Sequence, residues 1–82
     1  MNIKIISKDN CAFCTKAKNL LNLRNLPFEE IKFPNDISRE QIVEQYPNAR
    51  TFPVIIIDDT FIGGFDKLSE RLENDGFSKI SL

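Results

Sequence analysis

Four consecutive apolar residues, Val54-Ile55-Ile56-Ile57, stand between Pro53 and the pair Asp58-Asp59. A strand with one face in water alternates apolar and polar side chains, whereas a run without alternation suits a strand covered on both faces. The run therefore predicts the central strand of a sheet with helices packed against it.

The other segments are read around that strand. Residues 2–7, with Ile3, Ile5 and Ile6, predict a buried first strand. From Phe13 to Asn25, Ala17, Leu20, Leu21 and Arg24 follow helical spacing, with Lys16 and Lys18 expected toward water. Pro27 is expected to end this helix, because the residue before a proline is pushed out of the helical region. Phe28 to Phe33 predicts a second strand, closed by Pro34 and Asn35. Ser38 and Gln41 have capping-box spacing and open a helix in which Ile42, Val43 and Tyr46 are expected to share a face, ended by Pro47-Asn48. Asp58-Asp59 predicts a turn into a short strand, Thr60 to Ile62, which Gly63-Gly64 breaks. Asp66 is the expected N-cap of a last helix running to about Asn74. Residues 75–82 carry no clear pattern. The order β-α-β-α-β-β-α, without repeats or a linker, predicts a single α/β domain over residues 1–82. A parallel crossover followed by a hairpin gives a four-stranded mixed sheet with three flanking helices.

Composition narrows the function. With 11 Lys and Arg against 12 Asp and Glu, the net charge of −1 provides no basic field for a polyanion, which argues against nucleic-acid binding. No apolar stretch approaches the roughly 20 residues that span a bilayer. Met1-Asn2-Ile3-Lys4 lacks the apolar core of a signal peptide, so a cytoplasmic location is expected.

In that compartment Cys11-Ala12-Phe13-Cys14, which holds both cysteines of the chain, points to catalysis or metal binding rather than a structural staple. A disulfide closing so short a loop stabilises by under about 2 kcal/mol in the chain-entropy picture. The chain has no histidine, which rules out a Cys–His nucleophile pair, and two sulfurs supply half of a tetrahedral zinc site. No resident metal is expected. The pair follows the first strand and opens the first helix, where unpaired N–H groups and the positive end of the helix dipole favour a thiolate. Lys8, three residues earlier, is expected to add positive charge. A free thiol is only about 3% ionised at neutral pH. Holding Cys11 as the anion raises its ionised fraction but lowers its intrinsic nucleophilicity by nearly as much, so the clear gain is in its departure as a leaving group. Cys14, a turn further in, is expected to be the buried resolving thiol.

A second constellation lies downstream. Pro53 starts a central strand although it cannot donate to the ladder, which a cis Phe52–Pro53 bond would explain. The backbone of Phe52 is then expected to stay free for an extended peptide. Gly63-Gly64-Phe65-Asp66 offers close backbone approach followed by a helix start suited to a carboxylate.

Lys8-Asp9-Asn10-Cys11-Ala12-Phe13-Cys14, Arg50-Thr51-Phe52-Pro53 and Gly63-Gly64-Phe65-Asp66 together resemble glutaredoxins in sequence, order and spacing, over Ile3 to about Leu72. The resemblance implies a thioredoxin-like fold in its small glutaredoxin form, with Cys11 as nucleophile and Cys14 as resolving cysteine. It implies a glutathione groove built from Lys8, Phe13, Arg50, Thr51, Phe52, Pro53, Gly64, Phe65 and Asp66. In that family the residue at Phe52 pairs through its backbone with the cysteinyl part of glutathione. Gly64 to Asp66 holds the γ-glutamyl carboxylate, and Arg50, or Arg39 and Gln41, are candidates for the glycyl end. Glutathione is implied as co-substrate, with no permanently bound cofactor. Disulfide-bearing or glutathionylated proteins are the implied partners, ribonucleotide reductase among the candidates, and a monomer is expected. Ala12 stands where the family commonly has proline, Phe13 where it has tyrosine, and Phe52 where valine is frequent. Two alternatives accompany this reading: a hydrogen donor recycled by a reductase, and a carrier of a [2Fe–2S] cluster held by Cys11 and glutathione in two chains.

Overall fold

The computed structural model describes residues 2–73. Its elements run β1 (Ile3–Ser7), α1 (Ala12–Leu23), β2 (Glu29–Lys32), α2 (Arg39–Gln45), β3 (Val54–Ile57), β4 (Thr60–Gly63) and α3 (Phe65–Leu72). The sheet order is β2-β1-β3-β4, with β1 parallel to β2 and the β1–β3 and β3–β4 pairs antiparallel. The α/β order, the mixed sheet and its three helices are as the sequence predicts. Residues 74–82, and with them the expected helix end at about Asn74, lie outside the described residues.

Burial explains the unbroken apolar run. Ile55 and Ile57 face α1 and α3, packing with Ile3, Ile5, Ala17, Leu21, Leu68 and Leu72. Val54 and Ile56 face the other way, joining Ile6, Ile37 and Ile42 beneath α2. The register pairs Ile3 with Ile57, Ile5 with Ile55 and Ile6 with Val54, so each face is continuous across the two central strands.

Local signals set most boundaries. The Ser38–Gln41 capping box forms in full: Gln41 N–H donates to Ser38 Oγ (3.2 Å), and Ser38 N–H donates to Gln41 Oε1 (2.8 Å). Asp58 and Asp59 both take positive φ, 51° and 66°, and make the tight turn between β3 and β4.

Several expectations are corrected. The first helix spans Ala12–Leu23, and Asn25 rather than Pro27 ends it. Asn25 adopts φ 58°, its N–H donates to Asn22 C=O (3.0 Å), and Leu26 N–H donates to Leu21 C=O (2.9 Å). This is the paired bonding of a helix C-terminus closed by a left-handed residue, a conformation asparagine tolerates. Gly64, not Asp66, is the N-cap of α3, and Asp66 occupies the first turn, where its charge meets the helix dipole. Val43 does not share the buried face of α2; it is 57% exposed, while Ile42 is buried and Tyr46 half-buried.

One polar cluster lies between the sheet and α1. Ser7, fully buried at the end of β1, donates its hydroxyl to Glu30 Oε2 at 2.6 Å, and Lys18 Nζ donates to the same oxygen at 2.9 Å. Lys18 is thus half-buried rather than turned to water. The Ser7 hydrogen bond first, and Lys18 second, hold the Glu30 carboxyl below the usual carboxylate range. A carboxyl depressed in the folded state stabilises the fold above its unfolded value, and that contribution is lost as pH falls through the folded value. Glu30→Gln is therefore expected to lower the urea midpoint at pH 7. At pH 3 the gap from the unaltered chain should narrow.

Candidate active site

The chain leaves β1 through Lys8, Asp9 and Asn10, and Asn10 turns it with φ 56°. Cys11 follows as the N-cap of α1, in extended conformation (φ −123°, ψ 105°). Its Sγ takes the place of the usual capping oxygen and accepts the Cys14 N–H at 3.2 Å. Cys11 and Cys14 are joined as a disulfide with Cα atoms 5.2 Å apart, within the span a disulfide bridges. Cys11 is half-buried, while Cys14 is only 1% exposed and sits on the packed face of α1 with Ala17 and Leu21. One sulfur faces the surface and the other the interior. In the reduced chain the Cys14 amide is placed to donate to a Cys11 thiolate.

The loop before β3 lies alongside. The Phe52–Pro53 bond is cis, and among the described residues the Phe52 backbone makes no hydrogen bond. The Phe33–Pro34 bond is cis as well. The Phe52 ring lies between two neighbours: Lys8 Nζ stands 5.3 Å from its centroid and the Phe33 ring 5.2 Å away. On the other side, Phe13 is 52% exposed, with the Phe65 ring 6.0 Å away and Lys16 Nζ 5.0 Å above it.

A groove of about 350 Å³ runs between these aromatic groups, walled by Phe13, Thr51, Phe52, Gly64, Phe65 and Asp66. Six residues predicted from three separate segments thus line one groove. Pro53 is buried behind it, its carbonyl 3.5 Å from where a Cβ on Gly64 would stand. Lys8 and Cys11 open instead onto an adjoining cavity of about 540 Å³ around the start of α1, and Arg50 lines a third cleft, shared with Arg39, on the α2 side of Thr51 and Phe52. Gln41 is exposed in the first turn of α2 and serves its capping box. Among the described residues, no group of three or more His, Cys, Asp or Glu is gathered as a metal site.

Sequence reasoning missed Lys67, which lines the groove beside Asp66. Its stem crosses Gly63, where a Cβ would meet Lys67 Cγ at 2.5 Å. Gly63 also has φ 133°, which only glycine adopts readily. Gly63→Ala is expected to destabilise the fold by about 1–3 kcal/mol. Thermal unfolding should show it as a fall of roughly 4–8 °C per kcal/mol.

Comparison with known proteins agrees with this geometry. A glutaredoxin family profile matches residues 3–62. The chain is 36% identical over 76 residues to glutaredoxin 1 of Rickettsia felis, covering 90% of this chain and 74% of that protein. It is 31% identical over 67 residues to glutaredoxin 3 of Escherichia coli K12, covering 82% and 81%. Among solved structures, glutaredoxin 1 of Francisella tularensis, complexed with cacodylate, superposes with a TM-score of 0.74 at 26% identity, over 89% of this chain and 93% of that one. No described helix is long and apolar enough to cross a membrane. A thioredoxin-like fold that presents one surface sulfur and one interior sulfur at a helix start, matched along most of its length, makes this chain a thiol–disulfide oxidoreductase of the glutaredoxin family.

Proposed function

We propose that the chain reduces protein disulfides and protein–glutathione mixed disulfides with glutathione as its reductant. The observation carrying this reading is the convergence of Phe13, two residues from Cys11, with Thr51, Phe52 and the Gly64–Asp66 segment on one groove. The free Phe52 backbone suits the cysteinyl peptide of glutathione, and the N-terminus of α3 at Gly64 suits its γ-glutamyl carboxylate. Lys8 and Arg50 stand on the flanks as cations for the glycyl end. Glutaredoxin 3 of E. coli and the Rickettsia proteins, at 31–37% identity, support the assignment of the activity class.

The chemistry is thiolate exchange. The Cys11 thiolate attacks the glutathione sulfur of a mixed disulfide, and the electron pair of the broken S–S bond leaves with the protein sulfur, which is protonated by water. The resulting Cys11–glutathione disulfide is opened by a second glutathione thiolate, which regenerates Cys11 and releases oxidised glutathione. With a protein disulfide, Cys14 displaces the substrate from Cys11 and two glutathiones reduce the internal bridge. The Cys14 N–H held at the Cys11 sulfur stabilises the anion at each departure of Cys11.

Titrating the Cys11→Ser variant with reduced glutathione while following backbone amide NMR shifts tests the groove. Shifts confined to Phe13, Thr51, Phe52 and Gly64–Asp66 are expected. Silence there, in a chain whose unaltered form reduces disulfides when supplied with a reductase, would transfer the electron source to that partner.

A further inference from the structure

The Ser7–Glu30–Lys18 cluster has no part in the exchange chemistry above, yet its lysine lies one helical turn from the second cysteine. Cys14 and Lys18 lie four residues apart on α1, which places them one above the other on the same helix face. Both line the cavity of about 540 Å³ at the start of the helix. Lys18 would ordinarily extend into water. Here its ammonium is drawn to Glu30, whose carboxylate is itself fixed by the hydroxyl of fully buried Ser7 on the same oxygen. Lys18 lines the cavity and Glu30 does not, so the cationic partner of the pair is the one that borders it.

The other charges around Cys14 are engaged differently. From β2, Lys32 bonds Asp9 of the β1–α1 loop at 3.2 Å, and from that loop Lys8 stands over Phe52. Lys18 is the cation carried by the same helix one turn from Cys14. We propose that Lys18, held in place by Glu30 and Ser7, is a positioning residue for the second half-reaction, in which it favours the Cys14 thiolate that displaces the substrate from Cys11. This rests on the dithiol route proposed above. In that step the Cys14 thiol gives its proton to cavity water and its sulfur attacks Cys11 Sγ. The Cys11–substrate bond breaks, and the departing sulfur takes the electron pair and then a proton. Cys14 is oxidised and the substrate sulfur reduced. A buried thiol resists ionisation, so a fixed cation one turn away favours the deprotonation that the step requires. A unit charge ~6 Å away, at an effective dielectric constant of about 40, alters the thiolate fraction about tenfold.

Single-turnover mixing of the reduced protein with a glutathionylated peptide separates the two steps. Peptide release reports attack by Cys11, and glutathione release reports attack by Cys14. Lys18→Met is expected to slow glutathione release about tenfold and to move its pH midpoint upward, with peptide release as the internal reference. Lys18→Arg should restore both the rate and the midpoint. Lys18→Gln, which keeps a polar stem without the charge, should behave as Lys18→Met and guards against a packing defect. If both neutral variants release glutathione at the unaltered rate and midpoint, the inference is overturned while the dithiol reading stands. An unaltered protein that releases peptide but never glutathione overturns both.

Discussion

Cys11→Ser is expected to lose disulfide reduction almost completely, with kcat/KM lower by roughly 10³-fold or more, the scale of losing a covalent nucleophile. The serine hydroxyl can still cap α1 and accept the Cys14 N–H, so the fold should survive and the loss should be chemical. Cys14→Ser separates the two routes. It should retain turnover of protein–glutathione mixed disulfides, where a second glutathione completes the cycle, and lose reduction of protein disulfides, which need the internal bridge. Coupled assays with a glutathionylated protein and with a disulfide-bonded protein check both expectations. Full activity of Cys11→Ser on either substrate would refute the assignment of the nucleophile.

The largest structural effect is expected at Leu68. Its side chain is fully buried, one turn into α3, among Ile3, Ile5, Leu21, Ile55 and Leu72. Leu68→Ala removes that packing and leaves a cavity, at a cost of about 2–5 kcal/mol. For a domain this small that is a large share of a total stability of about 5–10 kcal/mol. Because α3 carries Asp66 in its first turn and starts at the groove, the same change should also weaken the glutathione binding proposed above. Urea unfolding, read beside a glutathione titration, checks the pair of effects. Wild-type stability in the variant would mean that α3 is not anchored through this side chain.

Much of this architecture is legible in single stretches of sequence. Val54 to Ile57 announces a strand covered twice, and the two packed faces bear that out. Ser38 with Gln41 announces a helix start through reciprocal bonds needing only three residues of chain. The misreadings share a cause: they depend on a choice among neighbouring residues or on distant ones. Pro27 is a helix stop in any local reading, yet the left-handed turn at Asn25 acts first along the chain. Gly64 precedes the better capping side chain of Asp66, yet the β4 strand ends so close by that the helix begins at once. Lys18 reads as a solvated residue in its own helix because its partner, Glu30, arrives from the next strand, 12 residues later. The aromatic pair of Phe33 with Phe52 joins segments 19 residues apart, which no local pattern encodes. At the site, the residue types suggested the chemistry, and folding supplied their neighbourhood.

The walls of the groove come from opposite sides of the sheet. Phe65 packs with the core beneath α1 and α3, while Phe52 packs with the core beneath α2. Each wall is thus rooted in its own hydrophobic foundation, separated from the other by the strands themselves. Changes in the layer under α2 can remodel one side of the recognition surface while the sulfur-bearing layer keeps its packing. Such a division means that substitutions under α2 should reach Phe52 before they disturb the packing of the cysteine-bearing helix.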